Sequence, residues 1–123
     1  MIAFIRKYNQ RAKIIVGGPF IKNLIATYQQ DPESLNRILK RLGADYYVVS
    51  EEGEQSLGAI IQSLKDGTPA DSIPNIYFRD GDAFSFTFVR SESNTQELGI
   101  QDWALFRGRI PDMVNIRTTK SCP

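Results

Sequence analysis

The 123-residue chain predicts an α/β domain built on an open parallel sheet with flanking helices. Two observations carry that reading. Two short apolar runs, Lys13-Ile14-Ile15-Val16 and Asp45-Tyr46-Tyr47-Val48-Val49, each lead into a glycine-bearing turn. Runs with so little polar alternation suit strands covered on both faces, as parallel strands are. Around them lie segments whose apolar residues recur at i, i+3, i+4 and i+7, the period of an amphipathic helix. Strand, helical crossover, strand, helix is the order of an open α/β sheet.

Each element follows in turn. Met1, Phe4, Ile5 and Tyr8 form one apolar stripe of a short first helix. After the first strand, Ile21, Leu24, Ile25 and Tyr28 repeat the helical spacing. Asp31-Pro32-Glu33 opens the next helix with an N-cap, a proline at the first helical position and an acid near the positive end of the dipole. Leu35, Ile38, Leu39 and Leu42 supply its stripe, and Gly43 is placed to end it. Following the second strand, Leu57, Ile60, Ile61 and Leu64 predict a helix with that stripe turned inward, closed by Gly67.

The character changes past Pro69. Ile76–Arg79 and Ala83–Val89 flank Asp80-Gly81-Asp82, a hairpin turn. Phe84, Phe86 and Phe88 alternate with Ser85 and Thr87, which predicts one apolar face packed on the α/β layer or on a neighbouring domain. Residues 91–113 read as a linker whose Trp103, Leu105 and Phe106 pin it to a surface. Val114–Thr119 reads as a new strand, followed by Lys120-Ser121-Cys122-Pro123. The expected organisation is an α/β unit over 1–68, a hairpin extension over 69–90, a linker over 91–113 and the truncated start of a further domain over 114–123.

Composition removes several function classes. Fifteen basic and fourteen acidic residues give a net charge of +1, without the basic excess of a nucleic-acid-binding module. No apolar run approaches the roughly 18 residues that span a bilayer. Arg6 and Lys7 interrupt the amino terminus too early for a secretory signal. A single cysteine makes no internal disulfide, so a cytoplasmic location is expected. The chain has no histidine, which excludes imidazole acid–base catalysis, Ser-His-Asp and Cys-His systems and His-ligated zinc within it.

Two loops carry candidate binding chemistry. Gly17-Gly18-Pro19 follows the first strand, at the end where ligands of open α/β sheets bind. Glycines there let a ligand approach the backbone, although they serve a bare strand-to-helix turn equally well. Ser50-Glu51-Glu52-Gly53-Glu54 occupies the corresponding end of the next strand. Its carboxylates repel phosphate, so it is a poor phosphate loop. They can accept hydrogen bonds from ligand hydroxyls or amides, or simply stabilise a helix amino terminus. A receiver domain needs a phosphoryl-accepting acid at a strand end, and Val16-Gly17-Gly18 offers none.

Taken in order, these segments resemble the cobalamin-binding domain that precedes the catalytic barrel of cobalamin-dependent radical S-adenosylmethionine enzymes, a family of Fe–S oxidoreductases and methyltransferases. Ile14–Pro19 is similar to that family's strand ending in V-G-G-P. Ala44–Glu54 resembles its "gvDyvv-x-G-E-G-E" strand and loop, and Ile73–Arg79 its "I-P-g-l-a-y-R". Asp102-Trp103 falls where the linker commonly carries such a pair, and Thr118–Pro123 is similar to the "T-s-R-G-C-P" that leads into C-x-x-x-C-x-x-C. The likeness runs along essentially the whole chain.

This resemblance implies the C-terminal part of a Rossmann-like (flavodoxin-like) cobalamin module. Gly17, Gly18, Pro19 and Phe20, with Ser50, Glu51, Glu52, Gly53 and Glu54, would line the cleft for the cofactor's nucleotide tail. Cys122 would be the first thiolate of a [4Fe–4S] cluster that binds S-adenosylmethionine in the intact protein. It also implies partner segments of the same protein: N-terminal strands upstream and a C-terminal barrel. The family pattern is altered at Phe20, where many relatives have histidine, and at Glu51, which replaces a glycine. The expected chain is non-catalytic alone, with at best feeble cobalamin affinity and a sheet edge open to a non-native dimer. The alternative is a free-standing Rossmann-like module for a nucleotide or flavin.

Overall fold

Ile15–Val16 (β1) and Tyr46–Val48 (β2) lie side by side and parallel, with Ile15 opposite Tyr46 and Val16 opposite Tyr47. The computed structural model describes residues 1–50 and 52–92. Ahead of β1 runs α1 (Ile2–Tyr8); between the strands run α2 (Pro19–Tyr28) and α3 (Pro32–Leu42). After β2 come α4 (Glu54–Asp66), a 3-10 turn (Ala70–Ser72) and the hairpin strands β3 (Ile76–Asp80) and β4 (Ala83–Phe86). The predicted linker from residue 93, the strand over 114–119 and Cys122 lie outside the described residues.

The sheet is mixed, which corrects the expectation of a parallel one. Its order is β1-β2-β3-β4, with β2–β3 and β3–β4 antiparallel. The hairpin therefore extends the sheet rather than packing on top of it, with Tyr46 opposite Phe78 and Val48 opposite Ile76. The cause lies in the return path. The α4 helix begins beside the carboxyl end of β2, and the segment that follows it brings Pro74 back to the helix's first turn, where its carbonyl accepts a 3.0 Å hydrogen bond from Ser56 Oγ. A strand started from that end can only run against β2.

Two apolar clusters hold the layers together. On one face α2 and α3 bring Ile21, Ile25, Leu35 and Leu39 against Ile14, Ala44 and Tyr47. On the other, Ile60 of α4 meets Val48 and Ile76, with Ala70 and Ile73 of the return segment closing the layer. The α3 signals hold in detail: Asp31 Oδ1 accepts from the Ser34 amide at 3.0 Å, and Gly43 ends the helix in the left-handed region at φ 82°.

Helix α4 corrects the predicted facing of its stripe. Ser56, Ile60 and Ser63 are its buried residues, while Leu57, Ile61 and Leu64 stand 38–42% exposed. The return segment presents backbone carbonyls to the helix, and a serine can satisfy them where leucine cannot. Ser56 bonds the Pro74 carbonyl, and Ser63 Oγ donates to Thr68 O at 2.7 Å. Helix α1 behaves similarly. Met1, Phe4, Ile5 and Tyr8 are exposed, whereas Ile2 packs against the core and Arg6 reaches Asp45 Oδ2 at 2.5 Å. Asp45 also accepts from the Ile14 amide at 2.7 Å, so one carboxylate ties α1 to the start of both parallel strands.

Of the aromatic run, Phe84 meets Tyr47 edge-on at 5.3 Å between ring centroids. Phe86 and Phe88 are exposed at 38% and 45% because β4 lies at the edge of the sheet.

Candidate functional site

Parallel pairing brings the two predicted loops to the same end of the sheet, and Val48 is where they meet. A Cβ placed on Gly17 would sit 3.2 Å from Val48 Cβ, and one on Gly53 would sit 3.3 Å from Val48 Cγ1. Both loops thus lean on one side chain, at the last residue of β2. Any side chain at position 17 would force Val48 or the loop to move.

The first loop turns sharply into α2. Gly18 is the N-cap, with φ 93° and ψ −178°. That conformation is essentially restricted to glycine. Nothing lies within 4 Å of where its Cβ would be, so the backbone here faces open space. Pro19 takes the first helical position, where its missing amide hydrogen costs nothing. Phe20, next in line, is 67% exposed.

The second loop is stapled locally. Ser50 Oγ accepts from the Glu52 amide at 3.3 Å, and Gly53 caps α4 in the left-handed region at φ 69°. Ser50 and Glu52 are half-buried and Glu54 is exposed in the first turn of α4. Glu51 lies outside the described residues. The two helices that start here differ in charge. The first turn of α2 holds no acid, while that of α4 holds Glu54. The α2 amides therefore tolerate an anion, and the α4 side favours hydrogen-bond donors.

Three further polar residues gather beside this end, and the sequence reading did not single them out. Asn75 has φ 61°, a left-handed conformation that asparagine tolerates better than most residues. Its backbone carbonyl accepts from the Val49 amide at 2.8 Å, and its own amide donates to Phe88 O at 2.8 Å. Its side chain pairs with both backbone groups of Arg90, at 2.7 and 2.8 Å. Ser56 and Glu92 complete the group: Glu92 Oε1 contacts Ser56 Oγ and lies 3.3 Å from Asn75 Nδ2. The legible signal was the serine spacing on α4, since positions 56, 60 and 63 share one face.

Two hollows lie elsewhere. One, lined by Lys13, Asp45, Tyr46, Arg79 and Gly81, contains the first residue of β2 and the hairpin turn after β3, which marks the opposite end of the sheet. The other sits between α3 and the hairpin. Among the described residues no three His, Cys, Asp or Glu side chains gather as a metal site, and no helix is long and apolar enough to cross a membrane. Neither protein-family models, curated proteins nor solved structures provide a match to this chain.

Proposed function

We propose that this chain is part of a cobalamin-dependent radical S-adenosylmethionine enzyme, and that its two strand-end loops form one wall of the cleft for the cofactor's nucleotide tail. The observation that carries the reading is the convergence of the glycine loops on Val48, with open space above Gly18. Backbone uncovered by side chains at the ends of parallel strands fits a tail that needs close approach. The charge asymmetry agrees with such a tail. Its phosphate suits the acid-free start of α2, and its hydroxyl and amide groups suit the Glu52 and Glu54 side.

When bound, cobalamin supplies methyl-transfer or radical-partner chemistry; this chain contributes grip and orientation. It brings no imidazole to the cobalt, because it has no histidine. Cys122, outside the described residues, would join the [4Fe–4S] cluster that holds S-adenosylmethionine only in the intact protein. The reading includes further strands of the same protein beside β1 and a barrel after the linker, in the cytoplasm, with no role for nucleic acid or membrane.

The test is a hydroxocobalamin titration followed by absorbance, with FMN and ATP as competitors. Weak saturable binding is expected, lost in Gly18→Val, which fills the open space above the loop. Tight uptake unaffected by Gly18→Val would sink the assignment of the loops. Saturable binding of FMN or ATP in place of cobalamin would favour a free-standing nucleotide or flavin module.

A further inference from the structure

Charge is spread unevenly along the chain. Residues 1–30 hold Arg6, Lys7, Arg11, Lys13 and Lys22, with no acid before Asp31. Within that stretch α1 turns an apolar stripe to solvent: Met1 is 98% exposed, Phe4 65% and Tyr8 70%, with Ile5 between them. The Phe4 and Tyr8 rings lie 4.8 Å apart between centroids, and the Lys7 ammonium sits over the Tyr8 ring. The opposite side of the helix fixes this facing. A Cβ on Gly43 would sit 3.6 Å from Ile2 Cγ2, and Arg6 donates to Asp45 and to the Ala12 carbonyl. A seven-residue helix has little stability alone, so these inward contacts are what present the stripe.

The rim of the stripe is basic. Lys7 on α1 is exposed, as are Arg11 and Lys13 just after it. The last turn of α3, which ends at Gly43 beside Ile2, adds exposed Arg41. Asp45, the acid that α1 touches, is already engaged by Arg6 and the Ile14 amide.

We propose that α1 is a docking surface for an acidic amphipathic helix of a separate protein. Its apolar side chains cover Met1, Phe4, Ile5 and Tyr8, while its carboxylates meet Lys7, Arg11 and Arg41. Anchors at i, i+3, i+4 and i+7 are those of helix recognition, and opposite charge at the rim selects the partner. A second copy of this chain brings the same basic rim and is repelled. Residues 93–123 are not the acidic segment, because Glu97, Asp102 and Asp112 are outnumbered by Arg107, Arg109, Arg117 and Lys120. A bilayer holds a surface helix in proportion to the apolar area it buries, and α1 offers only about two turns. The inference does not depend on the cobalamin assignment.

The test uses the full chain and fluorescein-labelled peptides of about 20 residues, long enough to form a helix in water. One peptide has leucines at helical spacing flanked by glutamates. A second replaces the glutamates with lysines, and a third replaces the leucines with serines. By anisotropy the first should bind saturably, and the other two at least about tenfold more weakly. Phe4→Ser, which removes an exposed anchor, should weaken the first by about tenfold. Lys7→Glu combined with Arg11→Glu should weaken it by about tenfold and strengthen the lysine peptide by a similar factor. All three side chains are exposed, so these variants keep the fold. No saturable binding, or binding indifferent to Phe4→Ser or to the charge reversal, overturns the proposal. Retention on phosphatidylserine–phosphatidylcholine vesicles that exceeds peptide binding and is lost in Phe4→Ser overturns it too, by making the partner a lipid surface.

Discussion

Tyr47 shows how much one side chain decides. It is fully buried, and its hydroxyl donates to Leu39 O at 2.6 Å while accepting from the Ala44 amide at 3.1 Å. The phenol thus satisfies the groups left over where α3 ends and β2 begins. Removing it in Tyr47→Phe leaves the buried Ala44 amide unpaired and Leu39 O with the Gly43 amide alone, so a loss of about 1–3 kcal/mol is expected in denaturant unfolding. Burial also raises its pKa above the ordinary 10.0, and burial does the same to Tyr46 and Tyr77. The folded state therefore favours the neutral phenols. Their contribution is complete below the unfolded value and is lost as pH climbs through the raised folded values. Phenolate absorbance should rise together with loss of structure above about pH 10, and Tyr47→Phe should weaken that coupling. Titration at the unperturbed value with the fold intact would contradict this.

Asp31 was readable without any coordinates because its effect is local. The Ser34 hydroxyl and amide, both bonded to its exposed carboxylate, hold that group below the usual 3.8. Gly18 and Gly53 were legible as turn glycines for the same reason, since a positive φ is a property of one residue. Val48 was not legible as the junction of the two loops. Nothing in a valine within an apolar run shows that two glycines from separate turns will rest on it.

Among elements, α4 separates what periodicity shows from what it hides. The 3.6-residue repeat identified the helix correctly, but two overlapping faces fit the pattern. One is Leu57, Ile61 and Leu64; the other is Ser56, Ile60 and Ser63. Apolar burial alone selects the first. Hydrogen-bond demand from the return segment selects the second, because unmet buried carbonyls cost more than an exposed leucine. The consequence is measurable. Ile60→Ala should cost about 2–5 kcal/mol, as for a large core truncation. Ile61→Ala, one residue along on the exposed face, should cost about 0.5 kcal/mol or less. Equal losses would mean that the leucine face is covered in solution.

At the scale of the whole molecule, the described sheet ends at β1, two residues long, with its outer edge unpaired among the described residues. On the proposed reading, further strands of the same protein occupy that edge. Without them the edge is a template for another chain. Light scattering over a concentration series should show a growing dimer population, and a strict monomer at the highest concentration would count against the open-edge reading. At the other side of the sheet β4 is short and ends at Phe86, and Thr87 beyond it accepts from the Ile76 amide through its hydroxyl oxygen at 3.3 Å.

By itself the sequence determined the elements and their punctuation. Two covered strands, four helices, the Asp31 cap, the glycine terminators and the hairpin turn all follow from interactions within a few residues, where chain geometry leaves little choice. Only the tertiary structure decided that the hairpin joins the sheet antiparallel, that α4 buries serines, and that Val48 seats both loops. Those outcomes depend on where the chain returns after α4 and which backbone groups it carries inside. That information belongs to distant pairs of residues meeting, and no single segment contains it.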